Sequence, residues 1–348
     1  MKVLHLTDRD AVGGGARYIQ LLRQGMPDVE TRVLYAEDGE CRASVVNRLR
    51  PDIIHVSHLK ALSQLYSNPF SRPRCPVVFT VHGVHIRKYD FLPHSTLNNI
   101  KRFLRRRLEK HLYDKVDAII ALTAADRDLV FRLYGRDLPV CIVPNGIDFI
   151  ESQATREKKY DYVSIARFCL QKGQRVLVEA VAKAQDAMRS RGSRVLMAGV
   201  GEDLECVKGM VENLGLSDII EFSGEADHGS AWLSSAKVVI APSLWEGFPF
   251  LLLEAAAHSM PVIASDCHGH AELIKDGETG SLFHVNDSTA LSKILEMGID
   301  ERYQDMGRSF HAEISAAYPL SRMIDGTREV YGRLSPASSI RQHTLREI

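Results

Sequence analysis

The segment 245–266 constrains the fold most, because a loop, an apolar helix and an apolar strand follow one another in it without a break. A second apolar strand, 237–243, precedes the loop, and 261–265 is the strand after the helix. Pro249 suits the first turn of that helix, where a missing N–H removes no hydrogen bond. The sequence therefore predicts a βαβ unit whose functional loop lies at the carboxyl end of a strand, the edge at which α/β sheets bind ligands.

Two carboxylates lie eight positions apart in this segment, Glu246 on the loop and Glu254 in the helix. Each alone is more often a capping or solvated residue, but Glu254 interrupts the otherwise apolar run 251–257, so its exposure needs a reason. The free N–H groups at the start of such a helix favour an anion. Carboxylates beside an anion site favour a ligand with both hydroxyl and phosphate groups, and a nucleotide sugar is such a ligand.

Strands and helices alternate through both halves of the 348 residues, which predicts an α/β protein with two Rossmann-like domains. We place the domain boundary near residue 150, followed by a polar linker at 151–159. Beyond the second domain we expect helices at 312–334, broken at Pro319, and a mobile tail at 335–348. The predicted strand segments are 3–6, 31–36, 52–57, 76–83, 118–123, 140–148, 162–166, 194–203, 219–227, 237–243 and 261–265.

The composition disfavours several classes of protein. The 44 Lys and Arg residues balance the 44 Asp and Glu residues, so no overall field favours nucleic acid as a partner. The six cysteines are scattered without a C-x-x-C pair, which is typical of thiols in a reducing compartment. No signal peptide precedes the first strand, and no apolar run approaches the ~18 residues of a membrane span, so we expect a cytoplasmic protein.

Two glycine-containing loops follow predicted strands. The glycines at 13–15 precede a helix, where backbone N–H groups can approach an anion, although a plain flexible turn fits equally well. Gly199 and Gly201 form the second loop. Neither loop completes the G-x-G-x-x-G fingerprint of dinucleotide-binding domains, because Tyr18 and Leu204 occupy the third glycine positions. A nicotinamide-dependent dehydrogenase is therefore disfavoured.

Two basic residues and a histidine stand near other strand ends. Arg167 and Lys172 bracket a short loop, and a planar guanidinium together with a compact ammonium suits a leaving diphosphate. Most such pairs, however, are simply exposed loop cations. His82 stands at the carboxyl end of the strand segment 76–83, where a side chain faces the ligand crevice, but a loop histidine with only local partners is about as frequent there.

The segment 101–115 predicts a basic amphipathic helix. It has seven Lys and Arg residues against two acidic residues, together with an apolar side. An ordinary surface helix with a solvated charged face and a helix that contacts anionic lipid are both compatible with this pattern.

The stretch EGFPFLLLEAAAHSMPVIASD resembles the Glu-x7-Glu segment of retaining glycosyltransferases of the GT-B fold, in the large family numbered four. It departs from the usual pattern at Ser259, where that family usually has glycine. The stretch 166–173 is similar to the family pattern G-R-x-x-x-x-K-G, with Ala166 in place of the first glycine. Thr80–Gly83 and PNGID at 144–148 resemble two further signatures, so the resemblance extends over nearly the whole chain.

This resemblance implies the GT-B architecture, two Rossmann-like domains facing across a cleft. Residues 1–150 would form the acceptor-side domain and residues 151–311 the domain that binds a nucleotide sugar, while the helices at 312–334 would pack back on the first domain. The implied enzyme is a retaining glycosyltransferase of hexosyltransferase type. It would take a nucleoside-diphosphate sugar as co-substrate and need neither a cofactor nor a metal.

The resemblance also implies a role for each candidate residue. His82 would lie against the transferred sugar, and Arg167 and Lys172 would bind the diphosphate. Glu246 would bind a sugar hydroxyl, and Glu254 the ribose hydroxyls. The remaining donor contacts would be made by Gly14 and Gly15 near the diphosphate, by Gly199 and Gly201 near the base, and by the backbone N–H groups of Gly247, Phe248 and Phe250.

Family habits favour a saccharide or lipid-linked acceptor in the synthesis of cell-surface polysaccharide, lipopolysaccharide or glycolipid, with the enzyme peripheral on the cytoplasmic face of a membrane. Two alternatives stay open, a sugar-nucleotide epimerase of the same fold and a non-catalytic glycosyltransferase-like binding subunit. Two Asp-x-Asp sequences, at 8–10 and 126–128, could be mistaken for a metal site. We interpret the first as loop and the second as helix surface.

Overall fold

The computed structural model describes residues 1–8, 13–149, 158–224 and 229–335. Most of the expected linker at 151–159 and nearly all of the expected tail at 335–348 lie outside these residues. The chain divides into two compact units, the first formed by Met1–Gly146 with the chain from Leu320 onward, and the second by Ile147–Pro319. The division falls after Gly146, four residues before the expected boundary near residue 150, and the first unit resumes at Leu320, whereas the return was expected from residue 312.

The first unit contains a six-stranded parallel sheet with the order β2-β1-β3-β4-β5-β6. Its interior strands β3, β4 and β5 are buried at every position, as expected for a parallel sheet that helices cover on both faces. The strands are β1 Lys2–Thr7, β2 Glu30–Tyr35, β3 Ile53–Val56, β4 Val77–Val81, β5 Ala118–Ala121 and β6 Val140–Ile142.

Helices connect these strands, and the last helix among the described residues also belongs to this unit. The helices are α1 Gly14–Gly25, α2 Ala43–Val46, α3 Leu59–Leu65, α4 Thr96–Tyr113, α5 Ala124–Tyr134 and the terminal α13 Leu320–Leu334. Helix α13 lies against α1 so closely that a Cβ on Gly25 would be 2.5 Å from the Ile324 side chain. The phenol of Tyr331, fully buried, bonds to Nδ1 of His55 in β3 at 2.6 Å. These contacts fix the returning helix on the first unit.

The second unit contains another six-stranded parallel sheet, with the order β12-β11-β10-β7-β8-β9. Its strands are β7 Tyr160–Ile165, β8 Val195–Ala198, β9 Ile220–Ser223, β10 Ala236–Ala241, β11 Val262–Ser265 and β12 Ser281–Phe283. Its helices are α6 Gln174–Ser190, α7 Leu204–Asn213, α8 Gly229–Ser234, α9 Phe250–Ala257, α10 His268–Ala271, α11 Ser288–Met297 and α12 Glu301–Ala317.

The strand order of each sheet determines where a ligand can bind. In the second unit the direction of strand addition reverses between β7 and β10, so the loops after these two strands meet although they are far apart in sequence. In the first unit the reversal lies between β1 and β3. Open α/β sheets bind ligands outside the carboxyl ends of strands at such reversals. The candidate residues should therefore be sought on these loops.

The predicted α/β class with two Rossmann-like domains is confirmed, and each predicted strand segment overlaps an observed strand. Strand β12 was not predicted, because three residues with one buried position carry little periodic signal. The break at Pro319 separates α12 from α13. Helix α12 belongs to the second unit, so of these two helices only α13 belongs to the first unit. Among the described residues, no helix is long and apolar enough to span a membrane.

Candidate active site

The loop between β10 and α9 is built around buried aromatic side chains. Trp245 and Phe248 are almost fully buried, and the Phe248 ring lies edge-on to Tyr318 with the ring centroids 4.9 Å apart. Pro249 has extended backbone angles and is the residue before α9, so the expectation that it lies in the first helical turn was wrong by one position. Proline ends the extended loop and Phe250 begins the helix. The loop is thereby fixed, and Glu246 sits at a defined place within it.

Glu246 is the centre of a buried polar cluster. Its Oε1 lies 2.5 Å from Nζ of Lys172 and accepts a hydrogen bond of 2.8 Å from the Ser243 hydroxyl. The amide of Gln171 donates to Oε2 at 3.4 Å. Burial alone would raise the pKa of this carboxyl, but the charges of Lys172 and His270, with the hydrogen bonds, hold it below its ordinary value. Glu246 is therefore an anion in a nearly water-free position.

Lys172 reaches this cluster because of a glycine. A 3₁₀ turn, Leu170–Lys172, ends at Gly173, which has the left-handed angles φ 64° and ψ 24°. A Cβ at Gly173 would lie 2.0 Å from the carbonyl oxygen of Pro242, so only glycine allows the loop after β7 to approach the loop after β10 this closely. Gly173 is thus needed for the local backbone conformation, and that conformation places the ammonium of Lys172 in the cluster.

Arg167 follows the end of β7 by two residues and is exposed. Its backbone carbonyl accepts a hydrogen bond of 2.9 Å from the Gln174 side chain, which ties the start of the loop to the start of α6. The structure therefore presents one cation, Arg167, toward solvent and holds the other, Lys172, against Glu246. Both stand at the carboxyl edge of β7.

Gly199 and Gly201 pack against the Arg167 loop. Both have positive φ, 140° and 152°. A Cβ at Gly199 would be 2.1 Å from the Ala166 carbonyl oxygen, and one at Gly201 would be 2.2 Å from that of Phe168. The two glycines are therefore required for the close approach of backbones between the loops after β7 and β8, whatever else they bind.

Glu254 lies in the second turn of α9 and is partly exposed, in contrast to its apolar neighbours. The side chains of Phe248 and Phe250 are buried, so these residues can meet a ligand only through their backbone. The N-terminal N–H groups of α9 carry the positive end of the helix dipole. Gly247 stands between Glu246 and these amides, next to the polar cluster.

His270 and Cys267 complete the cluster, and sequence reasoning missed them both. His270 Nδ1 lies 3.0 Å from the Ser265 carbonyl oxygen, so Nδ1 carries the proton and donates. Burial opposes a charge on this ring, but Cys267 and Glu246 raise the pKa of His270 above its ordinary value. Burial likewise opposes the Cys267 thiolate, yet His270 lowers the pKa of that thiol. His270 directly follows Gly269, and no motif around it marks it as a site residue.

Gly269 allows the short helix α10, which carries His270, to approach the site. A Cβ at Gly269 would lie 2.3 Å from the Gly247 carbonyl oxygen, so the short helix α10 packs directly on the backbone of the Glu246 loop. A small cavity opens where the loops meet, lined among others by Ser164, Lys172, Glu246 and His270. The second unit thus gathers Lys172, Glu246 and the start of α9 at the reversal between β7 and β10.

The first unit holds Gly14, Gly15 and His82 near its own reversal point. His82 is partly exposed just after β4, and its ring lies edge-on to that of Tyr18 with the centroids 4.9 Å apart. His58, the residue before α3, was not predicted: its Nδ1 lies 2.8 Å from the Thr7 hydroxyl, and its ring centroid is 6.2 Å from that of His82. A Cβ at Gly15 would be 2.4 Å from the His58 ring, which explains the glycine there.

A buried network lies beneath these residues. His55 Nε2 is 2.6 Å from the Thr80 hydroxyl, which in turn contacts the Tyr18 hydroxyl at 3.4 Å. Burial lowers the pKa of His55 well below its ordinary value, with smaller effects of neighbouring histidines, so the ring is neutral. With Tyr331 on its other nitrogen, His55 links α13 to the residues that support His82.

The two Asp-x-Asp sequences differ in what the structure describes. Asp10 lies outside the described residues. Asp126 is buried at the start of α5, so its interpretation as helix surface was wrong, whereas Asp128 is exposed and paired with Arg127. Within the described parts of the chain, no group of three His, Cys, Asp or Glu side chains is arranged to hold a metal ion.

Comparison with solved structures places this architecture among the GT-B proteins. The Anabaena protein HepE, solved in complex with UDP-glucose, superposes with a TM-score of 0.80 over 96% of this chain and 100% of its own, at 19% sequence identity. The model of the family "Glycosyl transferases group 1" matches residues 147–309, and that of "Glycosyltransferase Family 4" matches residues 40–150. The chain belongs to these group 1, family 4 glycosyltransferases.

Curated relatives are distant in sequence but span most of the chain. EpsD of Bacillus subtilis is 29% identical over 273 residues, 72% of this chain and 68% of its own. The UDP-Gal:alpha-D-GlcNAc-diphosphoundecaprenol alpha-1,3-galactosyltransferase of Escherichia coli is 23% identical over 271 residues, 73% of this chain and 68% of its own. The protein is thus an enzyme of the glycosyltransferase class, and its particular donor and acceptor are separate questions.

Proposed function

We propose that this enzyme transfers a sugar from a nucleoside-diphosphate sugar to an acceptor hydroxyl with retention of the anomeric configuration. The observation that carries the proposal is the contact between Lys172 and the buried Glu246 at the carboxyl edge where β7 and β10 adjoin. Such a donor carries phosphates and hydroxyl groups. A cation suits the phosphates, a carboxylate suits the hydroxyl groups, and both lie beside the N-terminus of α9.

The diphosphate would bind at the cationic side of this cluster. Arg167 offers its exposed guanidinium, and Lys172 can turn its ammonium from Glu246 to a phosphate oxygen. As the bond from the anomeric carbon to the β-phosphate oxygen breaks, negative charge grows on that phosphate. The two cations would stabilise this developing charge. Electrostatic stabilisation of this kind contributes ~10²–10³ in rate for a single hydrogen-bonding group.

The sugar and ribose would bind on the acidic side. The Glu246 carboxylate, freed from Lys172, would accept a hydrogen bond from a sugar hydroxyl, and the backbone N–H groups of Gly247, Phe248 and Phe250 would donate to the same region. Glu254, partly exposed one turn further along α9, would accept from the ribose hydroxyls. Gly199 and Gly201 would leave room for the base.

The first unit would supply the acceptor side. His82 would lie against the transferred sugar, and Gly14 and Gly15 would bring the start of α1 near the diphosphate. The acceptor oxygen would attack the anomeric carbon from the face that the phosphate leaves, and the acceptor proton would pass to the leaving phosphate oxygen. This mechanism uses no cofactor, and we propose that it needs no metal, since Arg167 and Lys172 neutralise the phosphate.

The acceptor we propose is a saccharide, free or carried on a lipid, in the synthesis of a cell-surface polysaccharide or lipopolysaccharide, on the cytoplasmic face of a membrane. One relative supports this acceptor, and one solved structure suggests a donor. The galactosyltransferase of Escherichia coli acts, by its name, on a sugar linked to diphosphoundecaprenol. The HepE structure contains UDP-glucose, so UDP-sugars are the first donors to try.

Slow donor hydrolysis in the absence of an acceptor tests the proposal. Purified protein is incubated with UDP-, GDP-, ADP- and TDP-sugars, and the released nucleotide is measured beside Glu246→Ala and Lys172→Ala. We expect release from one donor that both variants lose. Isomerised sugar without nucleotide release would identify the epimerase alternative instead. No turnover and no calorimetric binding of any of the four nucleotides would contradict the proposed donor site.

A further inference from the structure

A chain of hydrogen bonds leads from His270 to Glu246. Nδ1 of His270 donates to the Ser265 carbonyl oxygen at 3.0 Å. The Ser265 hydroxyl donates to the Ser243 carbonyl oxygen at 2.5 Å, and the Ser243 hydroxyl donates to Oε1 of Glu246 at 2.8 Å. Each of these residues is between 0% and 8% exposed. The chain therefore joins the histidine to the carboxylate inside the second unit.

The backbone brings the same two side chains together. Gly269 packs on the Gly247 carbonyl group so closely that a Cβ on Gly269 would lie 2.3 Å from that oxygen. His270 directly follows one of these glycines, and Glu246 directly precedes the other. Both side chains line the small cavity that Lys172 also lines. The fold therefore places a histidine and a lysine around one buried carboxylate.

Donor binding, as proposed above, would move Lys172 from Glu246 to a phosphate oxygen. A buried carboxylate that loses its cation is strongly destabilised, because its charge stays behind without compensation. His270 would keep its place during this change, since its ring is bonded to the end of β11 and its helix is packed on the Glu246 loop. Burial opposes a charge on this ring, but Cys267 and Glu246 raise its pKa above the ordinary value.

We infer that His270 is a positioning residue of the donor site, which holds the Glu246 carboxylate in place and compensates its charge when Lys172 turns to the phosphate. The inference rests on the proposed function, because that function assigns Lys172 to the phosphate and Glu246 to a sugar hydroxyl. The histidine acts through the carboxylate and not on the reacting atoms. Without it, the lysine would stay with the carboxylate, and the sugar nucleotide would bind more weakly and react more slowly.

Two variants of His270 separate its hydrogen bond from its charge. His270→Asn places an amide nitrogen where Nδ1 lies, so it keeps a donor for the Ser265 carbonyl oxygen but carries no charge. His270→Leu removes both the donor and the charge. The matched control is His111→Asn, which makes the same change at an exposed histidine of the first unit.

Hydrolysis of the sugar nucleotide that serves as donor measures the effect on the reaction. The kcat/KM of His270→Leu should fall by roughly 10–100-fold, the effect of a binding group that is displaced by about 1 Å. Calorimetry with the matching nucleoside monophosphate, which has neither the β-phosphate nor the sugar, is the second measurement. Its affinity should stay within about threefold of the wild type in both variants, because this ligand displaces no lysine from Glu246.

The pH dependence isolates the charge of His270. At about pH 6 the kcat/KM of His270→Asn should be about tenfold below that of the wild type, the difference between a charged and a neutral hydrogen-bonding partner. The two rates should converge as the pH rises through the pKa of His270, because the neutral ring and the amide then act alike. Cys267, Glu246 and Lys172 surround the ring and titrate in both proteins, so the ratio of the two rates reports the histidine.

Three results would overturn the inference. In the first, His270→Leu keeps the wild-type kcat/KM although Glu246→Ala loses it. In the second, the wild type and His270→Asn differ by the same factor at every pH. In the third, His270→Leu loses affinity for the monophosphate as strongly as for the sugar nucleotide, which would assign the histidine to the fold alone. Hydrolysis that survives in Glu246→Ala would contradict the proposed function instead, so the two failures are distinguishable.

Discussion

The ion pair of Lys172 and Glu246 is expected to be strongly coupled in the free enzyme. Its carboxylate side chain is 6% exposed and its lysine 25% exposed, with 2.5 Å between Nζ and Oε1. Removal of one partner from a buried pair costs about 3–5 kcal/mol, because the other charge stays behind without compensation. The Ser243 hydroxyl and the Gln171 amide remain beside Glu246. Lys172→Met should therefore lower the free energy of unfolding by about 3 kcal/mol, at the low end of that range.

The opposite change should cost less. Glu246→Gln keeps the shape of the side chain and leaves a lysine that water still reaches, so we expect a loss of about 1 kcal/mol. In the double variant no buried charge remains, and the loss should stay near that of Glu246→Gln instead of reaching the sum of about 4 kcal/mol. The coupling energy is then about 3 kcal/mol.

Tryptophan fluorescence during urea unfolding measures this cycle. The chain has two tryptophans, Trp232 and Trp245, and both belong to the second unit, so the signal reports the unit that contains the pair. The matched control is the exposed pair Lys208 and Glu205, for which the same cycle should give only about 0–1 kcal/mol. Additive losses at Lys172 and Glu246, within about 0.5 kcal/mol, would refute the reasoning.

Three further outcomes follow from the structure. The pKa of His270 is raised in the folded state, so protonation of this ring stabilises the fold. The stability advantage of the wild type over His270→Gln should be complete below pH about 6.5 and should be lost as the pH rises through the folded-state pKa. Melting curves recorded across this pH range would detect the change. Gly15→Ala should cost about 1–3 kcal/mol by calorimetry, and His58→Ala in the same chain should restore part of the loss; no restoration would contradict the contact. Tyr331→Phe leaves a buried histidine nitrogen without its partner and should cost about 1–3 kcal/mol, whereas an unchanged Tm would exclude that hydrogen bond.

The fold was predictable because the chain repeats one signal. Short apolar strands such as 261–265 alternate with amphipathic helices, and that alternation defines a parallel sheet covered by helices. The loop with Glu246 was predictable as well, because a strand, a proline and an apolar helix follow one another in a fixed order. The helix start was placed one residue early, since Pro249 is equally compatible with the position before a helix.

The contacts of the site were not predictable in the same way. The Lys172–Glu246 pair joins residues 74 positions apart, and only the adjacency of β7 and β10 brings them together. His58 and His270 give no sequence signal of their own, because a lone histidine has the same appearance in a core, on a surface or in a site. Their roles follow from neighbours, the Gly15 backbone for one and Glu246 for the other.

Proton NMR of the sugar released during donor hydrolysis tests the central claim most directly. An α-linked donor that supports hydrolysis is mixed with the enzyme, and the anomeric signals are followed before mutarotation equilibrates them. Our account predicts that the α anomer appears first and that Lys172→Ala abolishes its appearance. If the β anomer appears first, transfer inverts the configuration, and the proposed attack from the face of the leaving phosphate is wrong.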